Sequence, residues 1–448
     1  MRNYIYFLCI KEEEIALTES EKIMIAGCAA GAAAAAVPTV YGFLKASAAA
    51  KPIADSDFLH TENAAFVNEN GIVTSLRGIN LNDDIFWFSK ADIESPKGYD
   101  VFYALEKRFG SYGARQLCQK YYENFITPSD IKFIKKLGAN CVRIPLRFKY
   151  LCKKDNCKDD IDFDKLDTLV EKCRKAGLYV IFELHSAPGF QNTDSACGSG
   201  DECVFFNSGK EGFEARNAAI RFWTQVASHY KDEATVAAYD LLNRPLSRIA
   251  DWESKVDTLN KFYRRTIKAI RTVDERHIII TESAGTPDTL PEKTDLANVA
   301  YGFYSHFRTT FEAGALLRQV KNYKKNNIPC IVCKIRAEEN LAESLTAFND
   351  SGISWLIGDY KGSGLKSAFV FGGSVPEADL TLDSYEEIGK KWSKPLATKN
   401  FTENTEMTAV LKDAFKYCSV LVLPEGKTKK NKAQIKVKVG SKLIVGKV

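Results

Sequence analysis

The sequence predicts an α/β fold, a (β/α)8 TIM barrel carrying an N-terminal hydrophobic segment and a short basic C-terminal tail. Three observations point there. From about Ala65 to Phe401, apolar runs of strand length alternate with longer amphipathic stretches of helical period. The apolar runs number eight, and strands with crossover helices between them argue for a parallel sheet. The length of 448 residues, 45% of them apolar and 27% charged, suits one domain of this size class with appendages.

The candidate strands in order are Ile72–Leu81, Ala139–Ile144, Leu178–Leu184, Val236–Leu242, His277–Thr281, Val299–Tyr304, Pro329–Ile335 and Ile353–Ile357. Helical patterns fall between them at Ser129–Leu137, Phe163–Ala176, Asn217–Tyr230, Trp252–Val273 and Leu341–Asn349. In a barrel of this kind the functional residues stand at the C-terminal ends of the strands, which is where chemistry is to be sought.

Outside the barrel, taken as residues 61–402, lie two flanks. Residues 1–60 contain Ile23–Leu44, which carries no charge and is long enough to span a bilayer. It reads as a signal anchor, or as a signal peptide with small residues Ala46-Ser47-Ala48 as the cleavage site. The acidic stretch before it (Glu12, Glu13, Glu14, Glu19, Glu21) has the wrong sign for a signal-peptide start. A secreted or membrane-anchored protein with an extracytoplasmic barrel is expected. Residues 403–448 read as a helix and a Lys-rich hairpin: Ile435, Val437 and Val439 alternate with lysines, Gly440-Ser441 turns, and Leu443 resumes. Eight lysines and no acid lie between Gly426 and Val448, which more than accounts for the net charge of +5. The rest is slightly acidic, and no nucleic-acid binding is expected of it.

Twelve cysteines are present. Cys152 with Cys157, and Cys197 with Cys203, bracket short polar loops and are expected to close as surface disulfides in an exported domain. Cys118, Cys141, Cys173 and Cys418 sit in apolar patterns, as buried thiols do. Cys330 and Cys333 are three apart on a strand and face opposite sides, which speaks against a zinc site. No metal or cofactor is implied.

Several motifs at the strand ends are specific. They are GANCVRIP (138–145), LYVIFELHSAPGFQN (178–192), VAAYDLLNRPL (236–246) and GISW followed by DYKG (352–362). Together they resemble glycoside hydrolase family 5, over roughly Phe66 to Phe401. The resemblance implies β-glucan or related polysaccharide chemistry. It gives Arg143 the role of bracing a nucleophile, His185 a substrate-binding position and Asn243 a hydrogen bond to a sugar hydroxyl. Trp87, in DIFWFSK, is a candidate platform for a sugar ring, with loop packing an equal alternative.

The departures cluster on the groups that perform the family's reaction. Where the fourth strand of the family ends Asn-Glu-Pro, this chain has Asn243-Arg244-Pro245, so the acid/base position is an arginine. Where the seventh ends Gly-Glu-Phe-Gly, it has Cys333-Lys334-Ile335-Arg336, so the nucleophile position is Lys334. In YGFYSHF (301–307) the family's His and Tyr positions hold Tyr304 and His306, as if exchanged. The Trp that floors the sugar subsite falls near Ile357-Gly358, where there is no aromatic residue. A guanidinium neither gives nor takes a proton near neutral pH. Retaining hydrolysis needs two carboxyl groups about 5 Å apart. A unit charge about 5 Å from the oxocarbenium-like centre is worth roughly 3 kcal/mol at an effective dielectric of ~20, and here its sign is reversed at two positions.

The expectation is a family 5-like barrel without its catalytic carboxylates, a non-catalytic glycan-binding or interaction protein. Its expected partner is a polysaccharide or oligosaccharide, with an anionic one suggested by the two cations. Two alternatives stand beside it: a β-glucan O-glycosyl hydrolase of atypical arrangement, and a structural barrel with a filled cleft. Lys334 also admits a Schiff-base reading, against which a pairing with a nearby carboxylate is preferred. Glu183, Asp240 and Glu282 are expected to neutralise Arg143, Arg244 and Lys334 rather than to replace the missing acids.

Overall fold

The eight apolar runs close on themselves. The computed structural model describes residues 51–416 apart from 82–88, 91–100, 154–156, 159–160, 195–202, 285–296, 308–309, 338–339, 363–366 and 372–376, together with strands at 420–422, 434–439 and 442–447. The barrel strands are β1 (Arg77–Asn80), β2 (Cys141–Arg147), β3 (Tyr179–Ser186), β4 (Val236–Asp240), β5 (Ile278–Glu282), β6 (Val299–Phe307), β7 (Cys330–Ala337) and β8 (Ser354–Ile357). Neighbours in sequence pair in parallel all the way round. β8 closes on β1 with Trp355 opposite Arg77 and Ile357 opposite Ile79.

Alternation along each strand sorts the side chains into two shells. On β3, Val180, Phe182 and Leu184 face the helices, while Tyr179, Ile181 and Glu183 face the barrel axis. The lower interior is aliphatic, from Leu76, Cys141, Ile181, Ala238, Ile278, Ile280, Ala300, Ile331 and Leu356. The top layer is polar, and it holds the candidate site. Cys330 packs in the outer shell and Cys333 in the inner one, as their spacing requires.

Nine helices of seven or more residues stand among the described residues: α1 (Val101–Phe125), α2 (Pro128–Leu137), α3 (Asp164–Ala176), α4 (Lys210–Tyr230), α5 (Val256–Arg271), α6 (Thr310–Lys325), α7 (Leu341–Asp350), α8 (Tyr385–Lys391) and α9 (Thr405–Ala414). The long α1, kinked at Gly110, has no counterpart in the helical patterns read from the sequence, nor have α6 and α8. Behind β8, the fully buried Lys361 ties loop to shell. Its ammonium lies 3.0 Å from Asp130 and donates to the Phe125 carbonyl and to Thr398.

The packed body is larger than the boundaries at 61 and 402 suggest. Ile53, Phe58 and Leu59 are buried, and a hairpin of Leu59–Glu62 with Ala65–Asn68 lies beneath the barrel, where Phe58, Leu59 and Phe66 join the interior aliphatic cluster. At the other end α9 packs on α2 and α7, and Phe415 stacks on Trp355 at 5.2 Å. The tail hairpin is present as Gln434–Val439 with Lys442–Lys447, extended by a third strand, Val420–Val422.

The Cys152–Cys157 disulfide is formed, and it is buried rather than at the surface. Cys203 is a free thiol that donates to the Phe190 carbonyl at 2.9 Å; Cys197 lies outside the described residues. Cys118, Cys141 and Cys173 are buried thiols, and Cys418 is outside the description. Among the described residues no helix is long and apolar enough to cross a membrane; Ile23–Leu44 is not among them.

Candidate functional site

At the C-terminal ends of β1 to β5 the interior positions are Asn80, Arg143, Glu183, Asp240 and Glu282, each at most 3% exposed. Arg143 holds them together. Its Nη2 lies 2.6 Å from both Asp240 Oδ2 and Glu282 Oε1, its Nε donates to Asp240 at 3.0 Å, and its Nη1 meets Glu183 at 3.0 Å and Asn80 at 3.2 Å. Asn80 in turn donates to the Cys333 and Ile357 carbonyls, at 3.1 Å each, joining β1 to β7 and β8.

Three acids on one guanidinium cannot all ionise cheaply in a buried site. Burial raises the Glu183 carboxyl, but Arg143 and then His185, 2.7 Å away, bring it down to about 2. Burial and the neighbouring Asp240 push Glu282 well above the usual carboxylate range, and burial raises Asp240 as well. Both acids are thus displaced toward their protonated forms, Glu282 in part by the charge of Asp240. Cys333 converges on these two acids, within 4.8 Å, as a set of donor atoms suited to a cation. Arg143 already bonds both carboxylates and stands in for that cation. The thiol stays protonated, raised by burial and then by the two acids.

Arg244 stands just past the end of β4 with φ 46°, a left-handed conformation that costs a non-glycine residue roughly 1–3 kcal/mol. Its surroundings fix it there. Its backbone N–H donates to Glu282 Oε2 at 2.7 Å, and its carbonyl accepts from Asn192 at 3.0 Å. Gln191, fully buried, donates to the carbonyls of His185 (2.8 Å) and Asn243 (3.0 Å), stitching the β3 and β4 ends together. The Arg244 guanidinium pairs with Asp194, donates to Ser247 at 3.1 Å and lies 4.1 Å from the centre of the Tyr304 ring.

Lys334, on β7, meets Asp359 at 2.8 Å, just past the end of β8. Its aliphatic chain runs over Gly358. A Cβ on that glycine would stand 2.3 Å from Lys334 Cε and 3.1 Å from Cγ. The missing side chain at 358 and the lysine at 334 are thus one packing event: the lysine fills the space that the glycine leaves.

The structure brings Arg143, His185, Asn243, Arg244, Tyr304 and Lys334 to one end of the barrel. His306 lies on β6 opposite Arg336, with its side chain outside the described residues, as is all of Trp87. Asn243 is buried, and among the described residues its Oδ1 has no hydrogen-bond partner. The expected neutralisation needs one correction. Glu183, Asp240 and Glu282 all bond the Arg143 guanidinium, Glu183 meeting His185 and Glu282 the Arg244 backbone N–H as well, whereas the guanidinium of Arg244 and the ammonium of Lys334 are met by Asp194 and Asp359. Neither acid was singled out from sequence, although DYKG contains Asp359. Among the described residues Arg143, Arg244 and Lys334 each stand beside carboxylates, which weakens the charge argument for an anionic ligand.

The family model described as cellulase (glycosyl hydrolase family 5) matches residues 104–377, about three-fifths of the chain. The chain belongs to glycosyl hydrolase family 5. This family 5 chain is 29% identical over 240 residues to a β-xylosidase of Phanerodontia chrysosporium, covering 50% of the chain and 46% of that protein. It is 24% identical over 268 residues to a glucan 1,3-β-glucosidase of Schwanniomyces occidentalis (55% and 60% covered) and 27% identical over 203 residues to endoglucanase C of Acetivibrio thermocellus (43% and 53% covered). The chain spans about half the length of the curated relatives it matches. Among solved structures, an endogalactoceramidase superimposes with a TM-score of 0.53 at 13% identity, over 85% of this chain and 89% of that one, a likeness of fold alone.

Proposed function

We propose that this family 5 barrel binds a neutral glycan at its mouth and does not perform retaining hydrolysis. One observation carries the reading: the residues at the β4 and β7 ends are cations with their own counter-ions, and the three nearby strand-end acids are committed to Arg143. A carboxylate held by a buried guanidinium is a poor nucleophile, and its proton is not available to a leaving group. Binding is supported by His185, a partly exposed polar side chain at the same strand ends, in the position that the family resemblance gives to substrate binding.

The test is a pair of assays on the purified chain. Incubation with β-1,3-, β-1,4- and mixed-linkage glucans is expected to release no reducing sugar above a boiled control. A glycan array is expected to show retention of neutral β-glucans with no preference for acidic ones. Sustained release of sugar that disappears in Glu282→Gln or Asp240→Asn would sink the non-catalytic reading. It would favour the second one, a hydrolase of atypical arrangement, which the glucosidase and endoglucanase names of the relatives support. No retention of any glycan, with no hydrolysis, would leave the barrel a structural or protein-binding role.

A further inference from the structure

Two triplets of the form Asn-x-Ser/Thr occur in the sequence, Asn349-Asp350-Ser351 and Asn400-Phe401-Thr402. This is the acceptor pattern for an N-linked glycan, and it serves only where the asparagine reaches the surface of an exported chain. The fold separates the two. Asn349 is the next-to-last residue of α7 and is fully buried. Its Nδ2 donates to the Ala414 carbonyl at 2.8 Å, and its Oδ1 accepts from the Trp355 indole at 3.0 Å. Trp355 in turn stacks on Phe415 at 5.2 Å. A sugar on that amide would have to push this packing apart, so the folded barrel excludes it.

Asn400 is placed the other way. It ends the turn Thr398–Asn400 and is exposed, and the chain then runs extended through a strand, Phe401–Glu403, paired with Phe369–Phe371. Side chains two apart on an extended chain share a face. Phe401 is buried, 6.0 Å from the Phe125 ring, while Thr402 is exposed like Asn400. The Asn400 Nδ2 donates to the carbonyls of Lys394 at 2.9 Å and Pro395 at 2.8 Å, in an exposed turn. A glycosylated amide keeps one N–H, so one of these bonds survives and water replaces the other. The Cys152–Cys157 disulfide fits the oxidising, exported setting in which such glycans are added. We infer that Asn400 carries an N-linked glycan and that Asn349 carries none. In the transfer, Asn400 Nδ2 bonds to the anomeric carbon of an oligosaccharide borne on a polyprenyl diphosphate. The carbon–oxygen bond to the diphosphate breaks, the diphosphate leaves with the electron pair, and Nδ2 gives up one of its two protons. The bulky, hydrated glycan keeps the 398–403 face in solvent and closes it to tight docking by a partner protein.

The test is cell-free translation of the full chain in the presence of endoplasmic-reticulum membranes. A single slower-migrating band is expected, which peptide N-glycosidase returns to the position of the unmodified chain. That enzyme leaves an aspartate where the glycan stood, and mass spectrometry is expected to find it at position 400 and not at 349. T402A leaves Asn400 and both of its hydrogen bonds in place, and is expected to lose the slower band completely. T402S, which keeps the hydroxyl, is expected to retain it, and S351A to leave it unchanged. A full chain that stays unmodified overturns the inference, whether it remains outside the membranes or enters them and is passed over. A slower band that persists in T402A, or one that disappears in S351A, overturns it as well, the second by assigning the glycan to Asn349.

Discussion

Arg143 and Lys334 are both cations at the mouth of the same barrel, and their settings differ. Arg143 is 1% exposed and bonds three acids and an asparagine from four different strands. Lys334 is 13% exposed, lies along a neighbouring glycine and meets an acid one strand away. Removing a buried partner strands its counter-charges in a medium of low dielectric, whereas a rim residue gives its charge up to water. Frame and rim therefore answer to different constraints. The interior arginine is fixed by the acids it serves. The rim can exchange a carboxylate for an amine and leave the fold standing.

The comparison can be broken or sharpened at five places. Arg143→Met is expected to cost about 3–5 kcal/mol, the largest loss, read from urea unfolding; a cost below about 1 kcal/mol would erase the distinction between frame and rim. Glu183→Gln comes next. Its carboxyl is held at about 2 in the folded protein against 4.5 when free, so its contribution is complete above pH 4.5 and is lost as pH falls toward 2. The substitution is expected to cost about 3 kcal/mol at neutral pH and almost nothing near pH 2.

Gly358→Ala should cost about 1–3 kcal/mol, because its Cβ meets Lys334 Cε at 2.3 Å. Much of that loss should return in the Lys334→Ala background, so a double-mutant cycle reads the coupling directly. Glu282→Gln should cost about 1–3 kcal/mol, since both carboxylate oxygens accept, Oε1 from Arg143 and Oε2 from the Arg244 N–H, and an amide nitrogen can take neither place. Glu282 is raised when folded, so the stability it lends is greatest below pH 4.5 and declines as pH rises above it. The variant should flatten that decline in a series of melts at increasing pH. Last, Arg244→Ala should cost about 1–2 kcal/mol, because it leaves the Asp194 carboxylate, 9% exposed, without its guanidinium.

The reading from sequence went far where the signal is local. Each of the eight predicted strands overlaps a barrel strand, because period and length are written in the residues themselves. Helix α1 was not read, for its apolar positions are interrupted at Gly110 and its face is set by what it packs on. The hairpin beneath the barrel straddles the expected boundary at 61 and is not among the strands read from sequence, because its four-residue strands become recognisable only when Phe58, Leu59 and Phe66 find the interior they plug. At the site, Arg143, Asn243, Arg244 and Lys334 were legible as residues at strand ends. Asp194, Asp359, Gln191 and Asn192 were not read as their partners, since side chains from separate loops meet only after closure.

By itself the sequence determined the barrel, the end of it that carries the site, and the identity of the cations standing there. It did so because strand period, strand count and motif position are one-dimensional properties. Only the tertiary structure decided which charge answers which: three acids on Arg143, Asp194 with Arg244, Asp359 with Lys334. Pairing energies depend on distance and on exclusion of water, and neither exists until eight strands have closed around the axis.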